Sequence, residues 1–570
     1  MPVSPLVALE RSRLAFGAAA AAARLALLRP LARSSLGSAP AVRRLHEALC
    51  WIRAYPDNAA VLEQAVAMLE GFARRADLRR HRAALADSGI AGTAIHYRFF
   101  AGQAQWLASR WPEQLRLDRS DAESEARIAR ALPVLLTRAE AAALAEAPLP
   151  GYAAIDRLRG AAGDAAFLLG RIAALPGDGF TREAFSDAVD AAYRLEPAPG
   201  TPSRTLAYFA PAPLVFRSTP PPRQRPDLRA ELARPARSVR RLARAGGEAL
   251  VDLARAAMVT RARSLEAFSF ADPGDAWLVD DGDGLAFGFA GVIPERRHAL
   301  AATYGALTLR NGVPIGYAQA DIVGRSAALS FNTFETFRGG EAAFVFARWL
   351  AALRHLFGST SFSIEPYQLG RHNDEALESG AWWFYARLGF APRDAAVAAL
   401  AAHEHKRLSR PGARRSPRAT LARLAQRHLH FDLDPRAPLP RVPLDALGLQ
   451  IGAALSAETG ADRNAALDAC SARLQQRCGL AGLRGFNTAQ REAWRRFAPI
   501  VEQLDTVGWR SADWQALAGL LRAKGGASER EYLRRFLAHP RLDAALLAWS
   551  RQQDARAAAG AFSRRAPPAG

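Results

Sequence analysis

The dipeptide Asn311-Gly312 constrains this chain more than any other pair of residues. A two-residue hairpin loop needs positive φ at both central positions, which Asn and Gly tolerate and branched residues do not. It is flanked by residues 305–310 and 313–322, which therefore read as two antiparallel strands. The same grammar continues on either side. Residues 276–279 and 285–289 flank the acidic turn 280–284, and Gly324-Arg325-Ser326 turns the chain into residues 328–333. Short strands joined by tight turns predict an antiparallel meander. The acidic turn has the composition of a calcium loop but lacks the downstream glutamate at the right distance, so it reads as a hairpin.

After the meander the period changes to helical. A helix is expected from about Gly340 to Gly358, with Phe346, Trp349, Leu350, Leu353 and Phe357 on one face. A strand over 362–367, a helix over about 374–388 and Gly389-Phe390 complete the region 304–390.

Two motifs in this region carry chemistry. The first is Phe337-Arg338-Gly339-Gly340-Glu341-Ala342, a glycine turn opening a helix. A helix N-terminus has unpaired N–H donors and a positive dipole end, and it holds phosphate where glycines let the anion approach. The second is Glu378-Ser379-Gly380-Ala381-Trp382-Trp383-Phe384-Tyr385-Ala386-Arg387-Leu388-Gly389-Phe390. With the preceding strands, these motifs make residues 270–395 resemble the GNAT-type N-acyltransferases. The turn departs from that family's pattern, because Phe337 stands where Arg or Gln is usual, or Glu341 where Gly is usual, depending on register. Glu378 replaces Asn in the second motif.

The resemblance implies a splayed strand pair that admits acetyl-coenzyme A or another acyl-coenzyme A. It implies cofactor contacts at Phe337, Arg338, Gly339, Gly340, Glu341 and Ala342. Tyr385 is the implied general acid, and a core aromatic beside Trp383 is its bland alternative. A general base must take a proton from the attacking amine, and Glu335 and Glu365 are the candidates, each equally consistent with a surface charge. Asn332, Tyr367 and Gln368 are placed by topology along an acceptor pocket.

The remaining chain reads mainly as helix. Its 570 residues suggest several domains. Residues 1–40 read as a poorly ordered or helical arm, and 41–200 as a helical domain whose helix after Pro56-Asp57-Asn58 carries Val61, Leu62, Val66, Leu69 and Phe72. Residues 201–250 read as a Pro/Arg-rich linker and helix, with arginines at 234, 237, 240, 241 and 244 near one helical face. The GNAT-like domain is expected over 251–400. A basic linker follows over 401–441, since Lys406 to Arg427 holds eight basic residues and no acidic one. Residues 442–555 read as a helical domain and 556–570 as a disordered tail.

The fold class expected is α+β, a central mixed and largely antiparallel sheet with helices, flanked by mainly helical N- and C-terminal domains. Three cysteines form no disulfide framework and no metal-ligand spacing. The His403/His405 and His428/His430 pairs lack completing ligands, so no metal is expected. No apolar run is long enough for a membrane span, and a cytoplasmic location fits. Only two of the 76 basic residues are lysine, a bias matching the coding habit of a GC-rich bacterium. The net charge of +21 favours acidic partners by steering. Two functions are therefore open: acyl transfer to a small-molecule or protein amine, or a non-catalytic scaffold whose basic surface holds an acidic partner or nucleic acid.

Overall fold

The computed structural model describes residues 4–563 except 211, 212, 223 and 340. The chain folds into a mixed α+β structure around a nine-stranded sheet. A small sheet precedes it, built from β1 (Ile95–Tyr97), β2 (Leu115–Leu117) and β3 (Tyr193–Leu195). The large sheet comprises β4 (Ser238–Arg241), β5 (Ala271–Gly282), β6 (Leu285–Val292), β7 (Ala302–Arg310), β8 (Val313–Val323), β9 (Ser326–Thr333), β10 (Ser361–Ile364), β11 (Ala391–Pro392) and β12 (Leu429–Asp432). Its spatial order is β11-β12-β10-β9-β8-β7-β6-β5-β4. All neighbours are antiparallel except β9 and β10, which run parallel.

The β7–β8 turn takes the geometry its residues demand, with φ of 46° at Asn311 and 78° at Gly312. Asn311 also holds distant chain to this hairpin. Its Nδ2 donates to the carbonyls of Ala54 and Val215, and its Oδ1 accepts from the Val215 N–H. No side chain fits at Gly312, where a Cβ would stand 2.4 Å from the Phe209 carbonyl oxygen.

Several expectations require correction. Within the expected arm over 1–40, residues 4–40 are not free, because the helices Pro5–Arg11 and Ala18–Arg33 bury Leu6, Leu9, Leu28 and Leu31 in the same core as the sheet. The 41–200 region is not wholly helical. Residues 95–195 carry the small sheet and gather a second core around Trp106, Leu107, Ile128 and Tyr193. Described parts of the proline-rich segment are tied to the fold, with the Arg204 and Phe209 N–H groups bonded to the Gly89 and Gly312 carbonyls. Arg240 and Arg241 lie on β4, an edge strand, where charge discourages further pairing.

The 401–441 stretch is likewise no linker. It forms the helices Ala395–Leu408 and Arg418–Leu424 and then β12, which inserts between β10 and β11. The sheet thus extends beyond 251–400 at both ends. The C-terminal region is helical as expected, and its last helix runs to Ser563, past the expected boundary of a tail. It docks through a buried polar knot: Lys524 Nζ pairs with Glu529, and the Ser528 hydroxyl and Glu529 N–H donate to Asp275 of β5.

Candidate functional site

The strands β9 and β10 part company. Their ladder runs from Ser326–Ser361 to Leu329–Ile364 and stops there. Extending the register would bring Pro366 opposite Phe331, and proline has no N–H to offer a ladder. Pro366 instead occupies the first turn of the helix Pro366–Leu369, where its fixed φ is suited. The Phe334 N–H bonds to Ile315 O on β8. Alternation along the strand therefore turns the backbone groups of Phe331 and Thr333 toward the gap.

A cavity of about 720 Å³ opens in that gap. Its walls are Tyr317 and Gln319 of β8, Ser330 to Thr333 of β9, Arg338, Gly339 and Ala342 of the turn, and Tyr367 and Gln368 beyond β10. Phe384 and Tyr385 close it from the helix Ala381–Ala386, and Asn373 and Glu375 from the helix turn before that. The expected single helix over 374–388 is split at Gly380, whose φ of 70° ends one helix and starts the next. That break aims Tyr385 at the cavity.

At the floor, the helix Ala342–Phe357 begins at Glu341 with no side-chain cap. Among the described residues, no side chain caps its first-turn N–H groups. Gly339 has φ 81°, and nothing lies within 4 Å of where its Cβ would stand, so the turn is an open cradle. Gly340 lies outside the described residues.

The expected cofactor residues separate into two groups. Arg338, Gly339 and Ala342 line the cavity, whereas Phe337 and Glu341 do not. Phe337 is buried beside Tyr55. Glu341 is drawn into the protein by a buried ion pair with Arg310 of β7 and accepts a hydrogen bond from the Tyr55 hydroxyl at 3.0 Å. Its carboxylate therefore neither caps the helix nor faces the cradle.

Arg338 is engaged by Glu375 at 2.7 Å, and its Nε donates to the Thr333 carbonyl. Glu375 also pairs with Arg263 at 2.9 Å. Hydrogen bonds from Arg263 and Arg338 hold the Glu375 carboxyl below the usual range.

Of the acid–base candidates, only Tyr385 lines the cavity. It is buried, and among the described residues its hydroxyl has no hydrogen-bond partner. Burial raises its pKa, which keeps the proton on Oη. Glu335 sits on a short 3-10 turn outside the cavity and pairs with Arg43 at 3.0 Å. Glu365 is exposed, precedes the helix Pro366–Leu369 without a side-chain cap rather than extending a strand, and does not line the cavity either. Local desolvation and the charge of Asp321 raise its pKa. Glu378 is also exposed and outside.

Asn332, Tyr367 and Gln368 do line the cavity, although Tyr367 and Gln368 belong to the short helix and not to a strand. The sequence reading missed Tyr97, Phe100, Arg263, Glu266, Tyr317 and Glu375. Tyr97 and Phe100 lie more than two hundred residues before β9, and no local pattern marks them.

Among the described residues, one cluster has metal-like ligands, namely Glu458, Cys470 and Glu502. Arg473 fills it, contacting Glu458 at 2.6 Å and Glu502 at 2.7 Å, so each carboxylate already has a cationic partner. No described helix is long and apolar enough to cross a membrane. Compared with known proteins, the chain matches no family model, no curated protein and no solved structure.

Proposed function

We propose that this protein is a GNAT-like acyltransferase that moves an acyl group, most simply acetyl, from acyl-coenzyme A to an amine. One observation carries the reading: β9 and β10 separate after Leu329 and Ile364 into a cavity walled by Tyr385 and floored by an uncapped helix N-terminus. The residues present fit an acyl-coenzyme A. The open turn at Gly339 and first-turn N–H groups that no described side chain caps suit a pyrophosphate. The backbone edge at Phe331 and the Thr333 N–H, beyond the end of the β9–β10 ladder, suit the amides of an extended pantetheine arm.

Acyl-coenzyme A supplies an activated thioester, from which the amine takes the acyl group and a thiol departs. The protein's part is to hold the reactants in register and manage two protons. Tyr385 holds one at Oη, where burial keeps it available to the departing sulfur. The other leaves the attacking nitrogen. Glu335 and Glu365 stand outside the cavity, and Glu375 is held ionised by two arginines, which makes it a weak base. Glu266 lines the cavity and, among the described residues, makes no ion pair, so it is the carboxylate best placed to take that proton directly or through water.

The test is thiol release from acetyl-coenzyme A across a panel of primary amines. Acceptor-dependent release that fails in Tyr385→Phe is the expected result. No release with any amine, from protein that binds nucleic acid with a steep salt dependence, would favour the scaffold reading instead.

A further inference from the structure

A second recess of about 170 Å³ adjoins the cavity and shares Arg263, Asn332, Arg338 and Glu375 with it. The cavity reaches both faces of β9, whereas the recess lies against the Asn332 and Phe334 face alone. Phe331 packs on Phe346 and Trp349 of the Ala342–Phe357 helix. Alternation sends Asn332 and Phe334 to the opposite face, where the Arg261 guanidinium lies 3.6 Å from the Phe334 ring centroid. The recess is therefore across the strand from the helix that carries the cradle.

Its walls hold five arginines, at 43, 204, 261, 263 and 338, against three carboxylates. The carboxylates are already committed. Glu375 is shared by Arg263 and Arg338, Glu335 pairs with Arg43, and Asp87 faces His96 at 3.0 Å. Arg204 has a side chain 8% exposed and pairs with Glu47 at 2.5 Å through Nη2, while its buried Nε finds no partner. Among the described residues, Arg261 donates only to neutral oxygens, the Ala257 carbonyl and the Thr260 hydroxyl. Burial and the charge of Arg204 push its pKa down to about 9, the sign of a cation lacking a counter-ion. Ser88, Thr260 and Asn332 add neutral hydrogen-bonding groups.

We infer that this recess is the acceptor subsite for a compact oxyanion, so that the amine acceptor carries a phosphate or carboxylate group. The assignment rests on the acyl-transfer reading, which places the donor on the cradle side of β9. A planar guanidinium fork matches both anions, and the recess has room for one such group and not for a nucleic-acid strand.

The experiment titrates the full chain with inorganic phosphate, with acetate and with acetyl-coenzyme A, each by calorimetry. Wild type is compared with Arg261→Gln, the charge-retaining Arg261→Lys, and Arg43→Gln, whose site is exposed enough to spare the fold. The expected result is anion binding weakened about tenfold in Arg261→Gln and largely restored in Arg261→Lys, with acetyl-coenzyme A affinity unchanged. The stronger of phosphate and acetate identifies the anion's source. Equal anion affinity in wild type and both Gln variants would overturn the proposal, as would competition between phosphate and acetyl-coenzyme A for one site. Acetyl-coenzyme A binding without any anion binding rejects the recess alone. Arg261-dependent anion binding without acetyl-coenzyme A binding rejects the acyl-transfer reading and the acceptor assignment with it.

Discussion

Glu341 and Arg310 form an ion pair in which both side chains are almost wholly buried, 2% and 1% exposed. The pair ties the first residue before the Ala342–Phe357 helix to the end of β7. It also turns away from the cradle a carboxylate that would repel a phosphate there. Replacing one partner leaves the other charged and buried, which costs about 3–5 kcal/mol, whereas replacing both with apolar residues costs far less. Arg310→Met is therefore expected to lower stability in urea by that amount, and Arg310→Met/Glu341→Met to recover most of it. A double variant no more stable than the single one would contradict the pairing.

Tyr385→Phe removes Oη and little else from a buried ring. Thiol release with a competent amine should fall by about 10²–10⁴-fold, the range for losing a general acid. Acetyl-coenzyme A affinity should stay within error. A variant with unchanged turnover would mean that Tyr385 is only a core aromatic beside Phe346 and Phe390.

Glu375 is the shared counter-ion of Arg263 and Arg338. Glu375→Gln should free both guanidinium groups and tighten phosphate binding several-fold, with a steeper dependence on salt. Phosphate affinity that falls in this variant would show that Glu375 organises the arginines more than it restrains them.

Three histidines make stability depend on pH. Burial, then the charge of Arg393, holds His430 down at about 3, and burial, then Arg441, holds His428 at about 4, against an ordinary value of 6.5. Burial, then Arg204, also holds His46 well below that value. Below pH 6.5 the unfolded chain takes up protons that the folded protein refuses. Stability is thus fullest above about pH 6.5 and declines as pH falls toward the folded values. The thermal midpoint should drop between pH 6.5 and 5, above the range where carboxylates titrate, and His430→Gln should flatten the drop. A midpoint constant over that window would contradict the burial of these rings as neutral species.

Local grammar was legible where one residue type meets a backbone need. Asn311 and Gly312 sit at the positive φ that the hairpin requires, and Gly358 ends its helix at φ 74°. Where tertiary packing decides, the sequence misled. Residues 429–432 alternate buried and half-buried inside the sheet, yet they follow a run of arginines that reads as linker. Pro366 stops the ladder, a consequence visible only once its partner Phe331 is known. The cavity walls at Tyr97 and Arg263 come from chain remote from the motifs, and nothing local announces a contact of that range. At Phe337 and Glu341, where the motif departs from the family's pattern, both side chains turn inward, which the sequence did not foretell.

The gap between β9 and β10 is tested most directly by calorimetry with acetyl-coenzyme A on wild type and on Ser330→Trp, which places a large ring in the cavity. The account predicts one site per chain in wild type and affinity weakened by about tenfold or more in the variant. Folded wild-type protein that binds no acetyl-coenzyme A at millimolar ligand, or a variant that binds it as well as wild type, would contradict the account.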